Sequence, residues 1–214
     1  MYVPSQFSMD EAATRRFLAE RDTADLVTVT ARGLVATFLP ILYEPAPDGY
    51  GSVIGHVARG NEQWRLPALE DALMIVHGPD AYISPSWYPS KAVHGRVVPT
   101  WDYVTAHVYG RLEVHDDPAW LEALVRRLTA RHEGRTPRPW SVDDAPAPYL
   151  AGQLRAIVGV EVAISRVEAK AKWSQNRPGD DIDGVVDGLR AAGHDDAAEA
   201  VGAARPGEGA ERTT

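Results

Sequence analysis

The chain has 214 residues, no cysteine and a formal charge of −8, which leaves room for one domain, or one domain with an appendage, but not two of full size. The missing thiols exclude disulfide scaffolds, thiol redox chemistry, cysteine nucleophiles and thiolate zinc sites. No apolar run reaches the roughly 20 residues of a membrane span, and Met1 to Phe7 lack the basic stretch and apolar core of a secretion signal, so a cytoplasmic protein is expected. From Pro178 to Thr214 nine acids face three bases, which makes that stretch acidic and the remainder almost neutral. Neither part has the clustered basic footprint of a nucleic-acid binder.

Ser8 with Glu11 three residues later has the capping-box pattern, so a helix is predicted from Asp10 to about Arg21. Leu26–Thr30 and Leu34–Leu39 read as a hairpin turning at Ala31-Arg32-Gly33. Pro45–Gly49 reads as a loop, and Ser52–Ala58 as the next strand. Leu73–Val76 and Ala81–Ser84 are predicted strands on either side of a Gly78-Pro79 turn. The clearest strand is Val104–Val114, with Val104, Ala106, Val108, Gly110, Leu112 and Val114 on one face. A helix from Pro118 to His132 carries Leu121, Leu124, Val125 and Leu128 on one side, and Asp116-Asp117 before it reads as its N-terminal cap.

Beyond the prolines at 137, 139, 146 and 148, a short helix (Tyr149–Val158), a final strand (Val160–Ile164) and two helices (Ile182–Ala192, Asp195–Ala204) complete the pattern. The domain reading is a main domain over 1–177, an acidic helical extension over 178–204 and a disordered tail over 205–214. This order is mainly β with flanking helices, a barrel or sandwich rather than a doubly wound sheet.

Four segments concentrate polar and aromatic residues next to strands: Gly55–Asn61, Tyr82–Tyr88 with Lys91, Val98–Tyr103 and Lys170–Arg177. They supply cations (Arg59, Lys91, Lys172, Arg177), hydroxyls (Ser84, Ser86, Thr100, Ser174) and rings (Trp87, Tyr88, Trp101, Tyr103). Cations with hydroxyls suit a phosphate, and flat rings beside apolar strands suit a planar heterocycle, so a ligand with both ends, such as FMN, would use both sets. Taken one at a time, each segment reads more often as core or interface rings and solvated strand-end charges than as a ligand site. The seven histidines show no metal-ligand spacing, so no metal is expected, and no catalytic residue is singled out.

The same segments, in the same order, resemble the PaiB family, the FMN-binding negative transcriptional regulators. Met1–Pro4 with Phe7, Ala36–Pro40, Gly78-Pro79 before Tyr82–Tyr88, Val97–Trp101, and Lys172 with Ser174–Arg177 carry the resemblance, which runs from residue 1 to about 190. It implies an antiparallel Greek-key FMN-binding split β-barrel whose two subunits hold the flavin in a groove between them. On the same basis Arg59, Lys91, Ser84 and Ser86 fall near the phosphate and ribityl chain. Trp87, Tyr88, Thr100, Trp101 and Tyr103 line the ring, with His56 and Asn61 as further polar contacts. Lys172, Ser174, Gln175, Asn176 and Arg177 reach the same site.

Two positions depart from the family pattern. Phe38 stands where a histidine is usual, and Asp102 replaces an asparagine. A carboxylate cannot donate the hydrogen bond an amide can. Asp102 therefore either removes a donor and repels a reduced flavin, or pairs with Arg59 or Lys91 and is structural. The resemblance implies a homodimeric regulator. The alternative is a flavin-dependent oxidoreductase acting on a small organic substrate or reductant, and haem on His56 is a third reading. Direct DNA binding is not expected.

Overall fold

The computed structural model describes residues 1–205. Its strands are β1 (Thr23–Thr30), β2 (Gly33–Glu44), β3 (Ser52–Ala58), β4 (Ala72–Ile83), β5 (Thr100–His115) and β6 (Ile157–Lys172). Its helices are α1 (Glu11–Glu20), α2 (Ser90–His94), α3 (Pro118–Glu133), α4 (Ala147–Leu154), α5 (Gly179–Ala191) and α6 (Asp195–Ala203). The chain divides into two compact units: Glu11–His77 with Ala106–Glu168, and Met1–Asp10 with Gly78–Thr105 and the chain from Ala169. The tail expected over 205–214 lies, from residue 206 on, outside the described residues.

The split barrel implied by the resemblance is corrected by the strand pairing. The strands follow one another in the single closed order β1-β2-β3-β6-β5-β4. β1 pairs antiparallel with β2 from Thr23↔Pro40 to Thr30↔Gly33, and on its other side with β4 from Asp25↔Ile75 to Val27↔Leu73. The edge at which a split sheet would end is thus hydrogen-bonded, which removes the exposed donors and acceptors of an open strand. β3 pairs antiparallel with both β2 and β6.

In the first unit, alternation explains the core. Ala24, Leu26 and Thr28 on β1, Ala72, Met74 and Val76 on β4, and Ala106 and Val108 on β5 are buried at every second position. The β1–β2 turn is closed by Thr30, whose hydroxyl accepts from Arg32 N and donates to Gly33 O. Gly33 takes a positive φ of 97°, which its missing Cβ permits. α3 begins at Pro118, with Asp117 Oδ2 accepting from Trp120 N at 2.9 Å, as the cap pattern predicts. Its Leu124 and Leu128 pack with Leu42 of β2 and Ile54 of β3, and Trp120 covers that cluster.

Several elements differ from the sequence pattern. α1 starts at Glu11, and Ser8 lies outside it in a β-bridge to Lys170. β4 runs unbroken through Gly78-Pro79, where a turn is predicted. Its buried positions switch from even numbers (72, 74, 76) to odd ones (81, 83), the signature of an extra residue accommodated in a continuous strand. On β5 the apolar face is buried as far as Gly110, but Val114 is 42% exposed. β6 reaches Lys172, well beyond Ile164, because its half-exposed second part, Ser165–Lys172, is too polar for the alternation test.

One of the tight backbone approaches in the first unit is at Gly110, where a Cβ would lie 2.0 Å from Ala163 O. Gly110→Ala is therefore expected to cost about 1–3 kcal/mol. The check is a lowered urea midpoint with an unchanged denaturant slope.

Candidate functional site

In the second unit the start of β5 and the end of β6 meet at a buried carboxylate. Asp102 is 0% exposed. Its Oδ1 accepts from Lys172 Nζ at 2.8 Å, and its Oδ2 accepts from the Ser174 hydroxyl at 2.6 Å. Lys172 also donates to Thr100 Oγ1 (2.7 Å) and Trp101 O (2.5 Å), so three acceptors surround the ammonium. The chain turns sharply after β6. Ser174 has a φ of 57°, the sole non-glycine in the left-handed region among the described residues. Gln175 secures the turn by accepting from Trp173 N and donating to Ala171 O and Gln6 O. Thr100, Asp102, Lys172 and Ser174 are thus brought together, with one another as partners; Arg59 and Lys91 take no part in the pairing.

Next to this knot, Arg177 lies over the Tyr88 ring at 4.7 Å. Burial raises the Tyr88 pKa against the lowering effect of Arg177, so the phenol stays protonated. The Lys170 ammonium sits over Tyr103 (5.2 Å) and Phe7 (5.9 Å), and Lys170 is only 9% exposed. Asn176 is exposed at the tip of the turn.

The Tyr82–Lys91 segment leaves β4 through a 3-10 turn over Pro85–Trp87, which Ser84 caps by accepting from Ser86 N at 3.2 Å. Ser86 Oγ in turn accepts from Lys91 Nζ at 3.1 Å. Lys91 has no carboxylate partner among the described residues. Trp87 packs on α5: a Cβ at Gly188 would stand 2.3 Å from its ring, and one at Gly184 2.0 Å from its carbonyl oxygen. Trp101 is 52% exposed, donates to Asp80 Oδ1 at 2.6 Å, and meets the 48% exposed Tyr82 edge-to-face, with centroids 6.0 Å apart. Tyr82 opens the Tyr82–Tyr88 segment, and its exposure is a signal the sequence alone does not carry.

The three remaining candidates lie in the first unit. Arg59 forms a bidentate ion pair with Asp116 and donates to Arg155 O and Ile157 O. Asn61 caps a short 3-10 turn by accepting from Gln63 N and donates to Thr37 Oγ1. Through that turn it fixes Gln63, which is 1% exposed and donates to Leu26 O, Thr28 Oγ1 and Val35 O. His56 on β3 is half-buried, and its Nδ1 is enclosed without a hydrogen-bond partner. Burial lowers its pKa below the usual 6.5, so the ring is neutral at pH 7.

The donor set of the second unit fits a flavin phosphate ester in kind. Asp102 and Lys172 cancel each other internally, so the carboxylate offers no bare charge to an anion. Lys91, Ser84 and Ser86 keep directed donors outside any ion pair, and the Tyr82–Trp101 pair keeps aromatic surface in solvent.

Comparisons agree with this chemistry. Residues 1–166 match the family model described as "Putative FMN-binding domain". The chain is 33% identical over 192 residues to protease synthase and sporulation protein PAI 2 of Bacillus subtilis (strain 168), covering 89% of each. Its fold is similar to that of a conserved hypothetical protein from Mycobacterium tuberculosis (TM-score 0.55, 14% identity, 83% of this chain and 94% of that one). It is also similar to that of the flavocytochrome Anf3 from Azotobacter vinelandii (TM-score 0.52, 14% identity, 76% and 67%). No described helix is long and apolar enough to cross a membrane.

Removing Asp102 strands a partly buried ammonium, so Asp102→Ala is expected to cost about 3–5 kcal/mol and Asp102→Asn less, because one acceptor survives; chemical denaturation measures both. His56 predicts a pH dependence. Its folded pKa lies below the unfolded one, so its contribution is full above pH 6.5 and is lost as acid charges the unfolded imidazole first. A His56→Gln variant should lose less stability than the parent between neutral pH and about 5.

Proposed function

Given that the chain belongs to the PaiB-type family of FMN-binding proteins, we propose that it works as a homodimer that carries FMN on Ser84–Lys91 and Thr100–Tyr103 and serves as a flavin-liganded regulator. The observation that carries this reading is the division of charge in the second unit: Lys172 is consumed by Asp102, while Lys91 keeps only a hydroxyl partner. Lys91, Ser86 and Ser84 donate to the phosphate, and Tyr82 with Trp101 offers aromatic surface to the ring. Lys172 and Ser174 hold the Asp102 carboxylate away from reduced flavin. When bound, FMN supplies reversible hydride and electron transfer. The Bacillus relative is named for protease synthesis and sporulation, in keeping with a regulatory output. The acidic balance of this chain opposes duplex DNA, so that output passes through a protein partner.

The dimer rests on the β1–β2 hairpin. Leu34 (74% exposed) and Phe38 (68%) lie on one face of β2, with Val29 opposite Leu34 and Leu69 hydrogen-bonded beside it. Such a contiguous exposed apolar strip suits a second copy of the chain. Phe38, where the family pattern has histidine, adds to that strip. The alternative is a flavin-dependent oxidoreductase acting on a small organic substrate.

Purified protein mixed with FMN and desalted should retain the blue absorbance band. Lys91→Ala should weaken FMN binding about tenfold or more, the loss of one charge-assisted contact. Retention unchanged by Lys91→Ala would move the phosphate elsewhere. Phe38→Asp should convert a dimer to a monomer in light scattering. Bleaching of bound flavin by NAD(P)H or an organic substrate would favour the oxidoreductase.

A further inference from the structure

A second ligand-binding group lies in the first unit, among residues that take no part in the flavin reading. Glu113 and His115 are two apart on β5 and share one face, while Glu161 comes from the neighbouring β6. We propose that these three side chains bind a divalent transition-metal cation of the zinc or manganese class.

One potential ligand atom from each residue lies within 4.8 Å of the other two. Ligands bonded at about 2.0–2.2 Å around one cation stand roughly 3–4 Å apart, so the cluster needs only small rotamer adjustments to close. His115 Nε2 and Glu161 Oε2 are already 2.8 Å apart. Glu113 is held by Arg111 through Oε1 alone, which leaves Oε2 to coordinate. One imidazole nitrogen with carboxylate oxygens suits borderline and hard divalent ions and disfavours soft copper(I). The side chains keep 37%, 25% and 24% of their surface exposed (Glu113, His115, Glu161), so water can complete the coordination shell from outside.

The imidazole is held in place by packing. Its ring stacks on Trp120 with centroids 4.1 Å apart and planes 9° from parallel. Trp120 is itself placed by a vacancy in β6: a Cβ at Gly159 would lie 2.1 Å from its ring. With the rotamer fixed by packing, little side-chain entropy remains to be lost on coordination. The competing account is a His115–Glu161 contact beside a separate Arg111–Glu113 pair with no cation between them, and the titration separates the two.

The test uses the full-length, tag-free protein treated with chelator, titrated with ZnCl2 and separately with MnCl2 by calorimetry and tryptophan fluorescence. Saturable one-to-one binding of either ion with a change in emission is expected. His115→Ala and Glu161→Gln should each weaken it at least tenfold, and His132→Ala should leave it unchanged. Absence of saturable binding, or binding that survives both His115→Ala and Glu161→Gln, overturns the site. Should His115→Ala fail to fold, Glu113→Gln and Glu161→Gln decide by the same criterion.

Discussion

The second unit depends on one buried ion pair. Asp102 has no exposed surface, and an isolated carboxylate there would cost several kilocalories per mole in lost hydration. Lys172 and Ser174 each saturate one of its oxygens, and the lysine reaches back to Thr100 and Trp101 as well. The interaction joins the first residues of β5 to the last residues of β6, which are about 70 positions apart in the chain. It also accounts for the left-handed backbone at Ser174. That conformation is unfavourable for a residue with a Cβ, and the hydroxyl's bond to a charged acceptor offsets the strain. An asparagine at 102 would supply one oxygen and no negative charge to offset the ammonium. The aspartate in this chain therefore matches the lysine better than the residue usual in its family would.

Local features were legible in the sequence, and features assembled from distant residues were not. The β1–β2 hairpin, β3, the Asp117 cap and the buried stripe of α3 follow from periodicities and turn chemistry contained within a dozen residues. Gly78-Pro79 misleads because the same dipeptide serves a turn or a strand irregularity, and only the partner strand decides between them. The length of β6 is hidden because its second part alternates lysine, glutamate and arginine with small residues, which scores as solvated chain. Phe38 has no sequence signal for its exposure: it lies on the outer face of β2 opposite Asp25.

The candidate site divides in the same way. The segments that matter are visible as clusters of tryptophan, serine and basic residues, yet the role of each cation depends on its neighbour in space. Arg59 reads as a phosphate ligand until Asp116 is seen to hold it with both oxygens, and Lys172 reads the same until Asp102 is found beneath it. The metal-ligating group escapes a search for histidine spacing altogether, since Glu161 lies 46 residues from His115 and comes into register only through the β5–β6 pairing.

The acidic helices at the end of the chain look from composition like an independent appendage, but the contacts of α5 tie it to the Ser84–Lys91 loop. Asp181 on α5 is 2% exposed, and its two oxygens accept from the Ser90 amide (3.0 Å) and hydroxyl (2.7 Å). Two glycines on the same helix, Gly184 and Gly188, let Trp87 pack where any side chain would collide. α5 therefore braces the Ser84–Lys91 loop at two points, through Trp87 and through Ser90. The acid at that contact, Asp181, is committed to Ser90 and not to Lys91, and Lys91 has no ion-pair partner among the described residues. A phosphate-binding loop needs that combination, a rigid backbone and a cation with no resident counterion. In a chain of net charge −8, Asp181, Asp102 and Asp80 accept from Ser90, Lys172 and Trp101, and none of the three pairs with Lys91.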